Sequence, residues 1–319
     1  MRSLRTIILA CIGSVLLYLL VFTLLLKKPL TLGFINEAQE IRKVYLQSKS
    51  GPKLVIIAGS NGLFSHRAEV MESILRITCL NASTIAGFAL DVQIALAKRW
   101  LAPGDVVLMP LEYNTYVSSN EAIENSMANG FIINYDKGLM NEFGWHRRTC
   151  ILFSFNMKYM ISAALEMGLA AAGISRRFNR HNLTPQGDMR GHTSSRGKDY
   201  RQYLNSISQA LPNDELLHKK FYGEVILENF LNWAEKHGIR VIGALPTTFN
   251  EKPLSNAVIA KIASIYYNQR QEFIVLPNYS QYDRNCFYDT NYHLDEFNQI
   301  NHSLLIAKHL KVHKHLDFK

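Results

Sequence analysis

Cysteine and charged residues are both scarce in this chain of 319 residues. Only four cysteines are present, and Cys11 lies in an apolar N-terminal stretch, so that Cys79, Cys150 and Cys286 allow one disulfide at most. Charged side chains make up 19% of the chain, whereas hydrophobic side chains make up 48%. This balance excludes a disulfide-stapled miniprotein and a disordered tail protein, and it predicts a globular core large enough for one or two domains.

Nucleic-acid binding is not favoured, because the sequence has no dense Lys/Arg stripe with interleaved aromatics and no C-x2-C pair. The chain has 35 Lys and Arg against 26 Asp and Glu, a formal net charge of +9, but its basic residues are scattered doublets such as Arg147-Arg148. The Gly-x-Gly-x-x-Gly motif and Walker A spacing are also missing, although the segment 59–62, Gly-Ser-Asn-Gly, follows a predicted strand. A Rossmann-like nucleotide-binding protein is therefore kept as an alternative, and we expect no nucleic-acid partner, no cofactor and no metal.

The longest run without a charge, from Thr6 to Leu26, lies near the N-terminus between Arg5 and Lys27. As a helix, its 21 residues span about 31 Å, which matches the hydrocarbon core of a bilayer. A cleavable signal peptide would have a shorter apolar region with a small-x-small site, and a buried core helix would have a polar face. We therefore predict a cytoplasmic tail and uncleaved signal anchor at 1–28, with the rest of the chain extracytoplasmic, on the periplasmic or outer face, since the short basic tail is expected to stay inside.

After a neck at 29–52, apolar runs alternate with helical stretches through a predicted domain at 53–319. The predicted strands lie at 54–58, 78–80, 106–109, 240–245 and 273–276, and the predicted helices lie at 66–77, 90–100, 222–236 and 296–310. The strands are continuous apolar runs, which is typical of a parallel sheet covered on both faces. The fold class we expect is α/β, a flavodoxin-like three-layer parallel sheet with an N-terminal transmembrane helix.

The alternation of strands and helices fails between about 116 and 217, where we expect a helical insertion. An Ala- and Met-rich helical stretch lies at 153–174 and carries Lys158 and Glu166. These charges argue against a second membrane span, so we expect a helix that packs against the sheet or lies at the membrane surface.

Ser60 directly follows the first predicted strand, between Gly59 and Gly62. Ligands of parallel α/β sheets bind beyond the carboxyl ends of the strands, and the flanking glycines leave room for a substrate and for backbone N–H groups that face a developing oxyanion. Ser60 is therefore a candidate nucleophile. The alternative is that Ser60 or Asn61 caps the next helix.

A carboxylate and an imidazole, Asp289 and His293, share one short loop before the last predicted helix. A serine nucleophile needs a base, and the base needs a carboxylate that holds its tautomer and stabilises the imidazolium. The pair could supply both functions. The alternative is a helix cap beside a surface histidine.

Three short blocks of the sequence together resemble those of the SGNH (GDSL-type) hydrolase superfamily. They are Ile57-Ala58-Gly59-Ser60-Asn61, then Asn81 followed by Gly87, and finally Asp289 with His293-Leu294. The chain is most similar to the membrane-anchored branch with DltD and the AlgJ/AlgX-type polysaccharide O-acetylation proteins. The resemblance implies Ser60 as nucleophile, His293 as general base, Asp289 as its orienting acid and Gly87 as a backbone oxyanion donor. The alternative for Gly87 is a glycine that lets a loop and a helix approach closely.

The chain departs from the SGNH pattern at two places. Three residues instead of two separate Asp289 from His293, and the Gly-x-Asn-Asp motif after the third strand is replaced by Met-Pro-Leu-Glu-Tyr-Asn at 109–114. Asn114 could supply the missing oxyanion amide. Glu112 is a candidate pocket residue, with a buried ion pair or a helix cap as the alternative.

The resemblance implies acyl transfer through a Ser60 ester, onto a polysaccharide hydroxyl or onto water. The partners that it implies are a cell-surface polysaccharide or other carbohydrate, an acyl donor and a membrane-bound O-acyltransferase that delivers the acyl group. The missing motif and the Asp–His spacing favour a different alternative, a non-catalytic SGNH-like scaffold in an envelope polysaccharide assembly.

Overall fold

The computed structural model describes residues 2–25, 27–85, 87–153, 157–174 and 178–312. The chain forms two compact units. The first, here called the helical unit, consists of Met1–Glu37 and Glu124–Asn179, and the second, the sheet unit, consists of Ala38–Ile123 and Arg180–Lys319. Residues 124–179 of the predicted insertion thus group with the N-terminal segment, whereas 180–217 group with the sheet.

A parallel sheet with the strand order β2-β1-β3-β4-β6 forms the centre of the sheet unit, and β5 and β7 form a separate short parallel pair. The register places Val55 of β1 between Leu80 of β2 and Val107 of β3. Numbered along the chain, the strands of the large sheet have the order 2-1-3-4-5 of flavodoxin-like folds. The strands are β1 (Lys53–Ile56), β2 (Thr78–Asn81), β3 (Val106–Met109), β4 (Arg240–Ala244), β5 (Thr248–Phe249), β6 (Glu272–Ile274) and β7 (Gln281–Tyr282).

Helices make up the rest of the regular structure in the described ranges. In chain order they are α1 (Arg2–Leu25), α2 (Leu32–Gln47), α3 (Ser60–Ser65), α4 (Ala68–Leu75), α5 (Leu90–Lys98), α6 (Tyr113–Tyr116), α7 (Asn120–Glu124), α8 (Ala128–Tyr135), α9 (Trp145–Phe153), α10 (Met157–Ala171), α11 (Arg201–Ser206), α12 (Tyr222–Lys236), α13 (Asn256–Tyr267) and α14 (Glu296–Val312). The regular elements of the helical unit within these ranges are helical, and its helix α1 is long and apolar enough to cross a membrane.

The large sheet is covered on both faces. Successive side chains of a strand point to opposite sides, so that one strand contributes to two hydrophobic clusters. Val55 and Ile57 belong to the core cluster that includes α5, α12 and α13. Leu54 and Ile56 belong to the other cluster, formed with α4 and α14. The predicted three-layer α/β architecture with a parallel sheet is confirmed.

The predicted elements agree with the observed ones to within a few residues. β3 and α12 have the predicted bounds, whereas β1 ends at Ile56 and not at residue 58. Because β1 ends early, Ile57 to Gly59 form a short link between the sheet and α3, the helix that begins at Ser60.

Candidate active site

Ser60 is the first residue of α3 and lies at the carboxyl end of β1, where the sequence predicts a ligand site. Gly59 is the N-cap of this helix and Ser60 itself is half-buried. Gly59 is required by a close approach, since a Cβ atom at this position would lie 2.6 Å from the Glu112 Oε1 atom. The glycine thus lets a buried carboxylate reach the start of α3.

Asp289 and His293 contact each other directly. Asp289 Oδ1 lies 2.6 Å from His293 Nδ1, and the backbone N–H of Tyr288 donates a 2.8 Å hydrogen bond to the His293 carbonyl oxygen. This backbone bond folds the loop back on itself, so that a spacing of four positions suffices to bring carboxylate and ring together. With Nδ1–H donated to the carboxylate, Nε2 is the ring nitrogen that can accept a proton.

The side chain that connects His293 with α3 is Phe64. The ring of Phe64 stacks on the imidazole of His293, with the ring centroids 4.3 Å apart and 11° between the planes. Ser60 and Phe64 are four positions apart on one helix, so they lie on the same face, and a helical side chain leans towards the N-terminal turn. The stack therefore brings the imidazole against α3, the helix that begins at Ser60.

Hydrogen bonds hold the His293 loop against the end of α3. The Ser65 hydroxyl donates a 2.7 Å bond to the Tyr292 carbonyl oxygen and accepts a 3.2 Å bond from the Leu294 N–H. Thr247, which follows β4, places its hydroxyl 2.8 Å from the same carbonyl oxygen and 2.8 Å from Asn61 Oδ1. These contacts join three segments of the chain that are far apart in sequence. They hold the loop that carries His293 at the carboxyl edge of the sheet.

Glu112 follows β3 and caps α3 from outside the helix. Its carboxylate accepts hydrogen bonds from the N–H groups of Gly59 at 3.1 Å and Asn61 at 2.8 Å, one on each side of Ser60. Burial raises the pKa of Glu112, while the two N–H groups and the nearby His293 act in the opposite direction. Of the alternatives weighed for this residue, the helix cap is the one that matches its contacts.

The two predicted oxyanion donors have different environments. Gly87 is exposed on the loop after β2 and has a φ of +89°, a conformation that favours glycine. Asn114 is exposed on α6, and its carbonyl oxygen accepts a 3.1 Å bond from the Ser118 hydroxyl. Both roles stay predictions.

Three residues near the Asp289–His293 pair were not predicted from the sequence. Phe64 and Thr247 have been described above, and the third is His192, which is fully buried and meets the Phe64 ring edge-on at a centroid distance of 5.1 Å. Burial lowers the pKa of His192 to about 4. Nothing local marks these residues, since each contacts a segment that is distant along the chain.

A group of side chains that could hold a metal ion occurs in the helical unit. Glu124, His146 and Cys150 have their ligand atoms within 4.8 Å of one another. Among the described residues of the sheet unit, the Ser60 site has no comparable group of ligands.

Comparisons with known proteins add little to this geometry. No protein-family model matches the chain, and no curated protein sequence matches it. Among solved structures, the chain is similar to the crystal structure of protein YxiM from Bacillus subtilis, with a TM-score of 0.43 and 9% sequence identity. That match covers 85% of this chain and 58% of the other, so this chain spans less than two thirds of the solved one. The strand order and register of the sheet identify the chain as a parallel α/β protein.

Proposed function

We propose that the chain is a membrane-anchored, extracytoplasmic serine acyltransferase or acylesterase that acts in the O-acetylation of a cell-surface polysaccharide. One observation carries this proposal: Asp289 Oδ1 lies 2.6 Å from His293 Nδ1, and the His293 ring stacks on the helix that begins at Ser60. The arrangement supports a Ser–His–Asp acyl-transfer site at the carboxyl edge of the sheet.

In the first half of the proposed reaction, Ser60 takes the acyl group from its donor. His293 Nε2 accepts the hydroxyl proton while Ser60 Oγ bonds to the acyl carbonyl carbon, whose oxygen becomes negatively charged. The N–H groups of Ser60 and Gly87 stabilise this oxyanion. The bond between the carbonyl carbon and the leaving group of the donor then breaks, and His293 protonates the leaving group.

In the second half, the acyl group leaves Ser60. A hydroxyl of the acceptor gives its proton to His293 and attacks the carbonyl carbon of the ester. The Ser60 ester bond breaks, and His293 returns the proton to Ser60 Oγ. A sugar hydroxyl in this step makes the chain a transferase, whereas water makes it an esterase.

The acyl donor and the anchor belong to the same proposal. Helix α1 would hold the protein at the membrane, where a membrane-bound O-acyltransferase could deliver acyl groups from the other side. The resemblance of the three sequence blocks to the anchored SGNH branch supports this partner.

A specific contact favours the second candidate, a non-catalytic scaffold. The Glu112 carboxylate lies against the N–H groups on both sides of Ser60. When ionised, this carboxylate would oppose a second negative charge on a nearby oxyanion. A protein of this kind would keep the sheet and the Asp289–His293 contact without turnover.

Labelling with a fluorophosphonate probe separates the two candidates. On the full-length chain in detergent, we expect a covalent adduct on Ser60 that disappears in Ser60→Ala and persists in Ser206→Ala, which removes an exposed hydroxyl of the same unit. Absence of a Ser60-dependent adduct in a correctly folded protein would support the scaffold.

A second measurement separates transfer from hydrolysis. The protein is incubated with a chromogenic acetyl ester, with and without an oligosaccharide acceptor, and the masses of the products are determined by mass spectrometry. A Ser60-dependent gain of one acetyl group on the sugar identifies a transferase. Free acetate at an unchanged rate in the presence of the sugar identifies an esterase.

A further inference from the structure

Three different ligand types meet in the helical unit: a carboxylate, an imidazole and a thiol. His146 Nε2 lies 2.8 Å from Glu124 Oε1 and 3.8 Å from Cys150 Sγ. All three ligand atoms lie within 4.8 Å of one another. One ring nitrogen thus faces both other ligands at the same time. Each of these groups is a common ligand of transition metals, and the acyl transfer proposed at Ser60 uses none of them.

The chain holds these ligands in place by two local devices. His146 and Cys150 are four positions apart on α9, so that one helix face presents both. The backbone of Glu124 is fixed by two hydrogen bonds to its carbonyl oxygen, from Asn129 Nδ2 at 2.7 Å and from Arg147 Nη1 at 3.3 Å. The second bond comes from α9 itself. The third ligand is therefore tied to the helix that carries the other two.

The distances between the ligand atoms fit a tetrahedral zinc site. With zinc bonds of about 2.0–2.1 Å to nitrogen and oxygen and about 2.3 Å to sulfur, neighbouring ligand atoms lie about 3.3 Å apart for nitrogen and oxygen and about 3.6 Å apart for nitrogen and sulfur. The distances in the structure are within about 0.5 Å of these values. The side chain of His146 is 67% exposed, so an ion can enter from solvent and the ring can adjust to it.

The donor set selects the ion. Magnesium and calcium take oxygen ligands, which excludes them from a site with one sulfur and one nitrogen. Zinc binds sulfur, nitrogen and oxygen together in tetrahedral geometry, whereas divalent copper prefers a square-planar arrangement. A thiolate and a carboxylate also carry the two negative charges that balance a zinc ion. Among the described residues the group has three protein ligands, which leaves the fourth position of a tetrahedron for water.

We infer that Glu124, His146 and Cys150 form a zinc-binding site with a water molecule as the fourth ligand. When zinc binds, the Cys150 thiol releases its proton to water, and the ring proton of His146 lies on Nδ1 so that Nε2 can donate its lone pair. The ion joins Glu124 to a helix that begins 21 positions later. Because the folded chain binds the ion and the unfolded chain does not hold the ligands together, zinc stabilises the helical unit. This inference goes beyond the proposed acyl transfer and does not depend on it.

Metal titration of the full-length chain tests the site. The chain is purified in detergent without a histidine tag, stripped with a chelator and titrated with zinc or cobalt(II) alone. We expect one equivalent of either ion to bind, and cobalt to give the near-ultraviolet charge-transfer band of a cobalt–thiolate bond. Cys150→Ser should abolish this band. Cys286→Ser, which removes a half-buried thiol of the sheet unit, is the matched control and should keep it.

The other two ligands are tested by the affinity for zinc. Loss of an outer-shell partner costs about 10- to 100-fold in metal affinity, so we expect His146→Gln and Glu124→Gln to cost at least about 100-fold. The controls His181→Gln and Glu121→Gln change exposed residues of the same types and should bind zinc as the unaltered chain does.

A second measurement is thermal unfolding. Zinc should raise the unfolding temperature of the unaltered chain and of Ser60→Ala, but not that of His146→Gln, whose exposed position also gives the test if Cys150→Ser fails to fold. The site is overturned if the chain binds neither ion. It is also overturned if the cobalt–thiolate band persists in a folded Cys150→Ser variant, or if the ligand variants bind zinc as tightly as their controls.

Discussion

The Phe64 ring and the His293 imidazole stack at a centroid distance of 4.3 Å, although 229 positions separate them in the chain. The contact brings together α3, which follows β1, and the loop before α14 at the edge of the sheet. Its aromatic face also restricts how the imidazole can rotate about the Asp289 contact. We therefore expect this stack to orient His293, the proposed general base.

Replacing Phe64 tests this orientation. Phe64→Leu keeps an apolar side chain of moderate size but removes the flat surface, so we expect acyl-transfer rates to fall by about 10- to 100-fold, as for a misplaced catalytic group. The rate is measured with a chromogenic acetyl ester. Phe297→Leu, at a 70% exposed position on α14, is the matched control and should leave the rate unchanged. Equal rates for both variants would remove the positioning role of the ring.

The Asp289 carboxylate should decide the tautomer of His293. Asp289→Asn keeps the size of the side chain but cannot stabilise an imidazolium, so we expect a loss of about 10⁴-fold in kcat, as in other triads. Asp283→Asn alters an acid whose partner is Asn250, and this control should retain activity. A small loss in Asp289→Asn, with Ser60 labelling retained, would show that the departure from the Asp-x-x-His spacing has a functional meaning and that His293 works without this acid.

The hydroxyl of Thr247 should stabilise the loop that carries Asp289 and His293. Thr247→Val preserves the shape and removes the hydroxyl beside the Tyr292 carbonyl oxygen and Asn61 Oδ1, so we expect a loss of about 1–3 kcal/mol in the free energy of unfolding. Denaturant unfolding of the full chain in detergent measures the loss. Thr247→Ser restores the hydroxyl and should recover most of it. If the valine variant is as stable as the unaltered chain, the Thr247 hydroxyl does not stabilise the loop.

Stability should fall as the solution is acidified. Burial lowers the pKa of His66 and His192 to about 4, and it lowers the pKa of His302 well below its ordinary value. Below about pH 6.5 the unfolded chain takes up protons at these histidines, whereas the folded chain excludes them from His66 and His192 until about pH 4. The free energy of unfolding therefore decreases between these values, by up to about 1.4 kcal/mol per pH unit for each histidine.

Unfolding at about pH 7 and about pH 5 measures this effect. We expect His192→Gln to reduce the difference between the two conditions, because one of the three groups no longer titrates. His181→Gln changes an exposed histidine and should leave the difference as it is. An unchanged pH dependence in His192→Gln would mean that His192 is protonated within the fold.

Local patterns of the sequence predict the elements but not their arrangement. The apolar run at β3 and the periodicity of α12 define both elements to the residue, because such patterns depend on neighbours along the chain. The positions of Ser60 after a strand and of Asp289 and His293 on one loop are local in the same sense. These positions can be predicted without knowing which strands pair.

The order of the strands, the burial of Glu112 against the start of α3 and the neighbours of His293 depend on contacts between distant segments. Phe64, His192 and Thr247 have no distinctive local pattern, and they meet only after the sheet has closed in the order 2-1-3-4-5. The amino-acid sequence by itself determined which residues form strands and helices and which carry reactive groups, since hydrophobic periodicity and side-chain chemistry are local properties. Tertiary structure alone decided which of these groups touch, because proximity across more than 200 positions depends on how the whole core packs.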